Sequence, residues 1–290
     1  MSPPVWLSLG RVSNLPTVWT NALAGTALAG ADPWHRATLL VCLALSSFYV
    51  GGMYLNDAFD AAVDRRERPE RPIPSGRVAA ETVFAAGFGW LLGGLVLLAA
   101  AVAARPEGAG LLAIVAGIGL AATIVFYDWH HKTNPLSPLV MGLCRVLAYL
   151  VAGLVAVAQP APGLWFLAGI GLCWLVGLTY AAKQEAFDRI ERFWPLSFLF
   201  APVAWGLFRL DAGLFAGVLL ALLALWLGYA LWLLRRRARG DVPRAVAALI
   251  AGIALVDALV LAAAGHPSAA AMAVVCFALT LAGQRWIAGT

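Results

Sequence analysis

The sequence predicts an all-α protein in which nine or ten transmembrane helices form one bundle. Apolar residues make up 62% of the chain and charged residues only 12%, whereas soluble domains are about half apolar and about a quarter charged. The mean hydropathy is +0.84. Several apolar segments reach the ~20 residues that a helix needs to cross a bilayer. None of them shows the alternation that is typical of a membrane β-barrel strand.

The predicted helices follow one another through tight connections, without a linker or a fixed-period repeat that would divide the chain. We therefore expect residues 1–290 to form a single integral membrane domain. The seventh segment is short and contains Pro195 and Pro202, so it should be tilted, broken or re-entrant. The ten segments lie near residues 13–31, 36–58, 80–104, 108–127, 137–158, 162–182, 194–209, 212–234, 243–264 and 268–286.

The basic residues alternate between the loops and predict an orientation. One set of loops carries few of them, namely Arg36, Arg105 and Arg209. By the positive-inside rule, the richer set faces the cytoplasm, which predicts a protein of the cytoplasmic membrane surrounded by lipid. The net charge of +5 then reflects orientation, and no nucleic-acid-binding motif is present. The richer loops carry Arg65, Arg66, Arg68, Arg71 and Arg77; Lys132; Lys183, Arg189 and Arg192; and Arg235, Arg236, Arg237, Arg239 and Arg244.

Three carboxylates follow the second predicted span. Asp57, Asp60 and Asp64 are spaced i, i+3, i+7, which places them on one face of a helix. Carboxylates at a bilayer edge are costly, and Mg²⁺ is commonly held by carboxylates together with substrate phosphates. Prolines stiffen the basic loop that follows, so Arg71 and Arg77 are candidates for holding diphosphate oxygens. Alternatively, these two arginines are ordinary basic loop residues that only determine how the protein is oriented in the membrane.

Two further polar segments end spans on the same predicted side. Tyr127 and Lys132 follow the fourth span, where the lysine is either a phosphate binder or a snorkelling interface residue. The sixth span ends with a second carboxylate segment, which is either a solvated loop or the opposite wall of one shared cavity. Its candidate site residues are Tyr180, Lys183, Gln184, Glu185 and Asp188.

Isolated charges inside the spans usually face a bundle interior or a water-filled cavity. Arg145 is one to two turns from the predicted cytoplasmic face and is a candidate for an anion site. Asp257 is deeper, and we expect a structural salt bridge there. The four cysteines show no metal-binding or disulfide spacing, and the adjacent His130 and His131 do not predict a metal site.

These residues resemble the UbiA superfamily of intramembrane prenyltransferases. The N-D-x-x-D-x-x-x-D motif is complete from Asn56 to Asp64, and the Arg71–Gly76 loop is similar to that of chlorophyll synthases and archaeal geranylgeranylglyceryl-phosphate prenyltransferases. Tyr127 and Lys132 resemble the family's tyrosine–lysine signature, and Arg11 and Asn21 match polar positions of its first span. The resemblance implies Mg²⁺-dependent transfer of a prenyl group from an isoprenoid diphosphate to a lipophilic acceptor, such as an aromatic ring, a tetrapyrrole or a glycerol lipid.

The resemblance is incomplete at the second motif, where the family has D-x-x-x-D. Alignment on Tyr180 puts Gln184 at the first position and Asp188 at the second. Either Glu185 rebuilds the metal site or one metal is weakened and Lys183 takes over part of the phosphate charge. The resemblance implies catalytic roles for Asp57, Asp60, Asp64, Lys132 and Asp188, and metal binding by Asp57, Asp60, Asp64, Glu185 and Asp188.

Two other functions are compatible with the same residues. The altered second motif suits a carrier that binds a prenyl diphosphate or lipid without reacting it. Metal-dependent release of diphosphate distinguishes the enzyme from the carrier. An ion-coupled transporter fits less well, because transporter charges cluster near the bilayer midplane whereas the aspartates of the motif lie at one face.

Overall fold

The protein is described by a computed structural model that covers residues 4–132, 134–183 and 193–289. These residues contain α-helices, three short 3₁₀ segments and no strand, which confirms the predicted all-α class. The helices are α1 Val5–Leu9, α2 Leu15–Leu28, α3 Arg36–Phe59, α4 Ala61–Glu67, α5 Ala80–Ala103, α6 Leu111–His130, α7 Ser137–Ala156, α8 Pro162–Lys183, α9 Ala201–Leu207, α10 Leu214–Arg236, α11 Asp241–Ala263 and α12 Pro267–Gln284.

Each of the ten predicted spans contains helix in the described residues. Eight helices are long and apolar enough to cross a membrane: α3, α5, α6, α7, α8, α10, α11 and α12. The first span, α2, has only 14 residues. The seventh begins as the 3₁₀ segment Trp194–Phe200 and continues as α9. This change of geometry is the predicted break, and the segment rises about 24 Å, less than the ~30 Å hydrocarbon core.

The ten segments run alternately between two ends of the bundle. At one end, the Ala161 amide donates to the Ala29 carbonyl at 3.1 Å, which joins the connections after α2 and α7. At the other end, the Asn14 side chain donates to the Gly289 carbonyl at 2.9 Å, so the first and last segments meet there. The Asn56–Asp64 motif also lies at this second end, which we call the motif end.

Helix α11 is the centre of the bundle. Its most apolar stretch is 89% buried, whereas those of α5, α6 and α12 are 28% buried and are mainly lipid-facing. It packs against α2, α8, α10 and α12. A helix that is apolar on all sides suits this central position. The exception in its interior is Asp257, which is completely buried.

Close packing of α3 against α5 positions the motif. A Cβ atom on Gly87 would lie 2.8 Å from Leu55 Cδ2 and 3.2 Å from the carbonyl oxygen of Gly51. Small residues at such contacts let helix backbones approach closely in membranes. The last turns of α3, which carry Asn56 and Asp57, are therefore held directly against α5.

Candidate active site

The three motif aspartates lie where α3 passes into α4. Asp60 separates the two helices but keeps helical backbone angles (φ −78°, ψ −6°), and the Asp64 amide donates to its carbonyl at 2.9 Å. Asp57, Asp60 and Asp64 are 7%, 5% and 2% exposed. Arg71 Nη1 lies 3.3 Å from Asp57 Oδ1 and 2.8 Å from Asp64 Oδ2. Asp57 and Asp64 therefore face the same side, where one guanidinium nitrogen lies between them.

Other cations compensate the remaining carboxylate charge. Arg11 Nη2 lies 3.2 Å from Asp57 Oδ1, and Lys132 Nζ lies 3.1 Å from Asp60 Oδ2. Arg11 has a left-handed backbone (φ 41°), a conformation that is uncommon for residues other than glycine and that clusters at functional sites. Four separate segments, carrying Arg11, the motif, Arg71 and Lys132, thus meet at one point.

His131 is a site residue that the sequence did not reveal. Its Nε2 lies 3.5 Å from Asp60 Oδ2, and its ring stacks on Tyr127 with centroids 4.9 Å apart. Burial opposes ionisation of Asp60, but the hydrogen bond and charge of His131, with the charge of Lys132, hold the pKa of that carboxyl below its ordinary value. The i, i+4 spacing of Tyr127 and His131 was the available signal.

Asp128 is the second residue that sequence reasoning missed. Asn56 Nδ2 donates to Asp128 Oδ1 at 3.1 Å, and Asp128 is only 4% exposed. Its Oδ2 is buried and has no hydrogen-bond partner in the described part of the chain. Because the side-chain NH₂ group of Asn56 points to Asp128, the side-chain oxygen of Asn56 is directed away from the Asp128 carboxylate.

Two of the predicted phosphate binders have other contacts. Arg77 is exposed and donates to the Ser75 hydroxyl and the Glu70 carbonyl, so it folds its own loop. Lys183 Nζ donates to the carbonyls of His131 and Asn134, at 3.3 and 2.9 Å, and to the hydroxyl of Ser137 at 2.9 Å. Lys183 therefore ties the end of α8 to the loop that carries Lys132.

The remaining predicted residues lie in three places. Tyr180 is partly buried in the last turn of α8. Asn21 and Arg145 are hydrogen-bonded to each other inside the bundle and contact none of the three motif aspartates among the described residues. Gln184, Glu185 and Asp188 lie outside the described residues, so the altered second motif stays a prediction.

A cleft of about 240 Å³ opens beside the aspartates. Among the described residues, no group of three or more histidine, cysteine, aspartate or glutamate side chains converges on a point that could hold a metal ion. Instead, the carboxylates of the motif are paired with arginine, lysine and histidine. The cleft is lined by Ser8, Leu9, Arg11, Asp57, Arg71, Pro72 and Ala288.

Comparisons with known proteins agree with this architecture. The model of the UbiA prenyltransferase family matches residues 15–253. A digeranylgeranylglyceryl phosphate synthase of Methanopyrus kandleri is 31% identical over 209 residues, which are 69% of this chain and 69% of that protein.

Solved structures share the fold. A UbiA homologue from Aeropyrum pernix K1 has a TM-score of 0.64 at 18% identity, over 87% of this chain and 96% of that one. A UbiA homologue from Archaeoglobus fulgidus bound to GPP and Mg²⁺ has a TM-score of 0.51 at 15% identity, over 97% of this chain and 99% of that one. This integral membrane protein therefore belongs to the UbiA prenyltransferase family.

Proposed function

We propose that the protein transfers a prenyl group from an isoprenoid diphosphate to a lipophilic acceptor within the membrane, with Mg²⁺ as cofactor. One observation carries the proposal: buried carboxylates and several cations form ion pairs with one another at the motif end. Carboxylates suit Mg²⁺, and lysine and arginine suit phosphate oxygens. The whole chain, residues 1–290, acts as one domain.

The chemistry of the donors fits Mg²⁺. Asp57 and Asp64 present hard oxygen atoms, and a cationic nitrogen of Arg71 already lies between them, at 3.3 and 2.8 Å. We assign metal binding to Asp57, Asp60 and Asp64, with Glu185 and Asp188 as the partners predicted from the sequence. When bound there, Mg²⁺ would supply positive charge that stabilises the diphosphate as it leaves.

The cations of the pocket have a separate role. Once the carboxylates are neutralised, Arg11, Arg71 and Lys132 can turn from aspartate to phosphate oxygens. The Lys132 side chain is 44% exposed, which leaves it room to do so. These groups stabilise the charge that grows on the departing diphosphate as the allylic C–O bond breaks and its electron pair leaves with the oxygen. The acceptor then attacks the prenyl carbon and loses a proton.

Two tyrosines are candidates for protecting the prenyl cation. An aromatic face attracts a cation by its quadrupole. One face of Tyr127 stacks on His131, and we assign the other face to contact with the prenyl group. Tyr180 lies in the last turn of α8, on the same side of the bundle. We assign substrate binding to both residues, together with Asn56 and Arg11.

The relatives suggest substrates to test. The Methanopyrus protein is a digeranylgeranylglyceryl phosphate synthase, and the Archaeoglobus homologue was solved with GPP. We propose an isoprenoid diphosphate as donor and include a glycerol lipid among the acceptors. We also propose that the motif end faces the cytoplasm, because Arg71, Lys132 and Lys183 lie there and basic loop residues favour that side.

The test is diphosphate release by the purified protein in nanodiscs. Geranyl, farnesyl and geranylgeranyl diphosphate are supplied with a cell extract as acceptor source, with and without Mg²⁺. Wild type should release diphosphate only with Mg²⁺ and form a prenylated product. Asp60→Asn should lower release about 100-fold or more while circular dichroism stays unchanged.

Glu107→Gln is the matched control, because it neutralises an exposed carboxylate outside the motif end. It should release diphosphate at the wild-type rate. Normal turnover by Asp60→Asn would refute the assignment. Saturable Mg²⁺-dependent binding without release by wild type would instead identify a carrier.

A further inference from the structure

Asp257 is a charged residue in the middle of the central helix, and the proposed reaction does not use it. It is completely buried. Thr20 Oγ1 and Asn21 Nδ2 donate to its Oδ2 at 2.5 and 2.8 Å, and the Tyr149 hydroxyl donates to its Oδ1 at 2.6 Å. A carboxylate with this many partners inside a membrane bundle joins α2, α7 and α11, and such residues mark functional sites by default.

Asn21 connects this carboxylate to Arg145. Its Nδ2 is committed to Asp257, so its Oδ1 points the other way and accepts from Arg145 Nη1. The side-chain amide therefore has one orientation. Arg145 and Asp257 carry opposite charges, which makes the network neutral and allows a permanent cation to stay inside the bundle.

Arg145 keeps open hydrogen-bonding capacity. Asn21 is its only hydrogen-bond partner among the described residues, although a guanidinium has several N–H donors. None of its nitrogen atoms is both buried and unpaired in that part of the chain. The N–H groups that Asn21 leaves free are therefore accessible, although the residue lies in a membrane-spanning helix.

The surroundings are built for this side chain. A Cβ atom on Gly171 of α8 would come within 2.6 Å of Tyr149 Cε2 and 3.2 Å of Arg145 Cγ, so glycine makes the room that both side chains occupy. Arg145 follows Ser137 by about 12 Å along α7, and Ser137 lies at the motif end through its bond with Lys183. The open cation thus lies deeper in the membrane than the diphosphate site.

We propose that Arg145 binds an anionic oxygen group of the acceptor, and that Asp257 is a positioning residue that holds Arg145 through Asn21. The inference rests on the proposed function and narrows the acceptor to molecules that carry a carboxylate, a phenolate or a phosphate. An acceptor bound to Arg145 approaches the prenyl carbon from a position deeper in the membrane than the diphosphate. An anionic acceptor would give the accessible N–H groups charge-assisted hydrogen bonds, which are stronger than those that a neutral acceptor could offer.

The test compares acceptor probes that differ in charge. The pairs are 4-hydroxybenzoate with 4-hydroxybenzamide, and geranylgeranylglyceryl phosphate with geranylgeranylglycerol. Dissociation constants are measured on the full chain in nanodiscs with Mg²⁺ and unreactive geranylgeranyl thiodiphosphate, so the readout needs no turnover. In wild type, the anionic member of at least one pair should bind about tenfold more tightly. Arg145→Gln should remove this preference and leave the Kd of the thiodiphosphate unchanged.

Two variants test the positioning role. Asp257→Asn keeps the shape but removes the charge, and Asn21→Ala breaks the link while both charges remain. Each should weaken the anionic probe about threefold to tenfold with the thiodiphosphate unaffected. Thr280→Val is the matched control, because it removes a buried hydroxyl that donates to the Cys276 carbonyl within α12. It should change neither constant.

The outcomes separate the two proposals. A wild type without charge preference in either pair, or an Arg145→Gln protein that keeps the preference, overturns the anion site. If Asp257→Asn and Asn21→Ala both lower the thermal stability but bind the anionic probes as tightly as wild type, the Asp257 network is purely structural. Failure of the wild type to bind the thiodiphosphate would refute the proposed function itself.

Discussion

Arg71 is the residue on which the charge balance of the motif depends. Its Nη1 contacts both Asp57 and Asp64, and both carboxylates are largely buried. We predict that Arg71→Ala destabilises the protein by about 1–3 kcal/mol without metal, since it leaves buried carboxylates without their partner. Mg²⁺ bound to the same oxygens should offset part of the loss. Thermal unfolding in detergent, with EDTA and with Mg²⁺, measures the difference.

Arg77→Ala is the control for this prediction, because Arg77 lies in the same loop but its side chain, within the described part of the chain, hydrogen-bonds to Glu70 and Ser75 and to no motif aspartate. Its unfolding midpoint should change little and should not depend on Mg²⁺. Equal effects of the two substitutions would show that the loop, and not the charge of Arg71, matters. A metal-independent loss in Arg71→Ala would argue against Mg²⁺ at Asp57 and Asp64.

Site residues could be predicted from the sequence where they belong to a recognisable motif. They could not be predicted where their role depends on contacts between distant segments of the chain. Asp57, Asp60, Arg71 and Lys132 were candidates from their spacing and their place after apolar spans, and they meet in the structure. His131 was considered only as half of an adjacent histidine pair that did not predict a metal site; its contact with Asp60 forms only in the folded structure. Asp257 was expected to form a structural salt bridge, but its direct partners are a threonine, an asparagine and a tyrosine. The other members of that network come from distant helices, which no local pattern brings together.

At the scale of elements, Lys183 joins α8 to the loop between α6 and α7. Its ammonium group binds two backbone carbonyls and the Ser137 hydroxyl. We predict that Lys183→Met loosens this loop and misplaces Lys132, which raises the KM for the isoprenoid diphosphate about tenfold. Hydrogen exchange of the backbone amides of residues 131, 132, 134, 136 and 137 should become faster. Both measurements use the purified protein in nanodiscs.

Arg209→Met is the comparison for this prediction. Arg209 also binds a backbone carbonyl, that of Ala263, but it does so at the other end of the bundle. Its loss should leave both the KM and the exchange of the loop unchanged. If Lys183→Met raises the KM without faster exchange, Lys183 touches the diphosphate directly, as the sequence alone had suggested.

The helices themselves were predictable because a bilayer demands long apolar segments. All ten segments contain helix, and the prolines of the seventh correctly indicated its break. The short helices α1 and α4 were not predicted, because they lie outside the apolar segments. In the structure, both contact α3 at the motif end. The central position of α11 was also hidden, since its hydropathy of 2.5 is close to the 2.3 of the more exposed α10. Hydropathy measures compatibility with lipid and not burial against other helices.

At the scale of the whole molecule, the alternation of ten segments decides which loops share a side. Asn14 meets Gly289 at the motif end, and Lys132 and Lys183 lie there as well. The opposite end joins Trp34 to Ser268 by a hydrogen bond of 3.2 Å. The described basic residues Lys132 and Lys183 and the motif aspartates therefore share one end, and a single measurement of orientation applies to the whole site.

We predict that the motif end faces the cytoplasm, because positively charged loops are retained on that side during insertion. Single cysteines are introduced at Ser75, Glu107 and Asp211, which are all exposed, after Cys42, Cys144, Cys173 and Cys276 are replaced by alanine. In intact cells, a membrane-impermeant maleimide should label Glu107→Cys and Asp211→Cys but not Ser75→Cys. Opening the cells should expose Ser75→Cys, which also verifies that it can react. Labelling of Ser75→Cys in intact cells would reverse the orientation and require the diphosphate to arrive from outside.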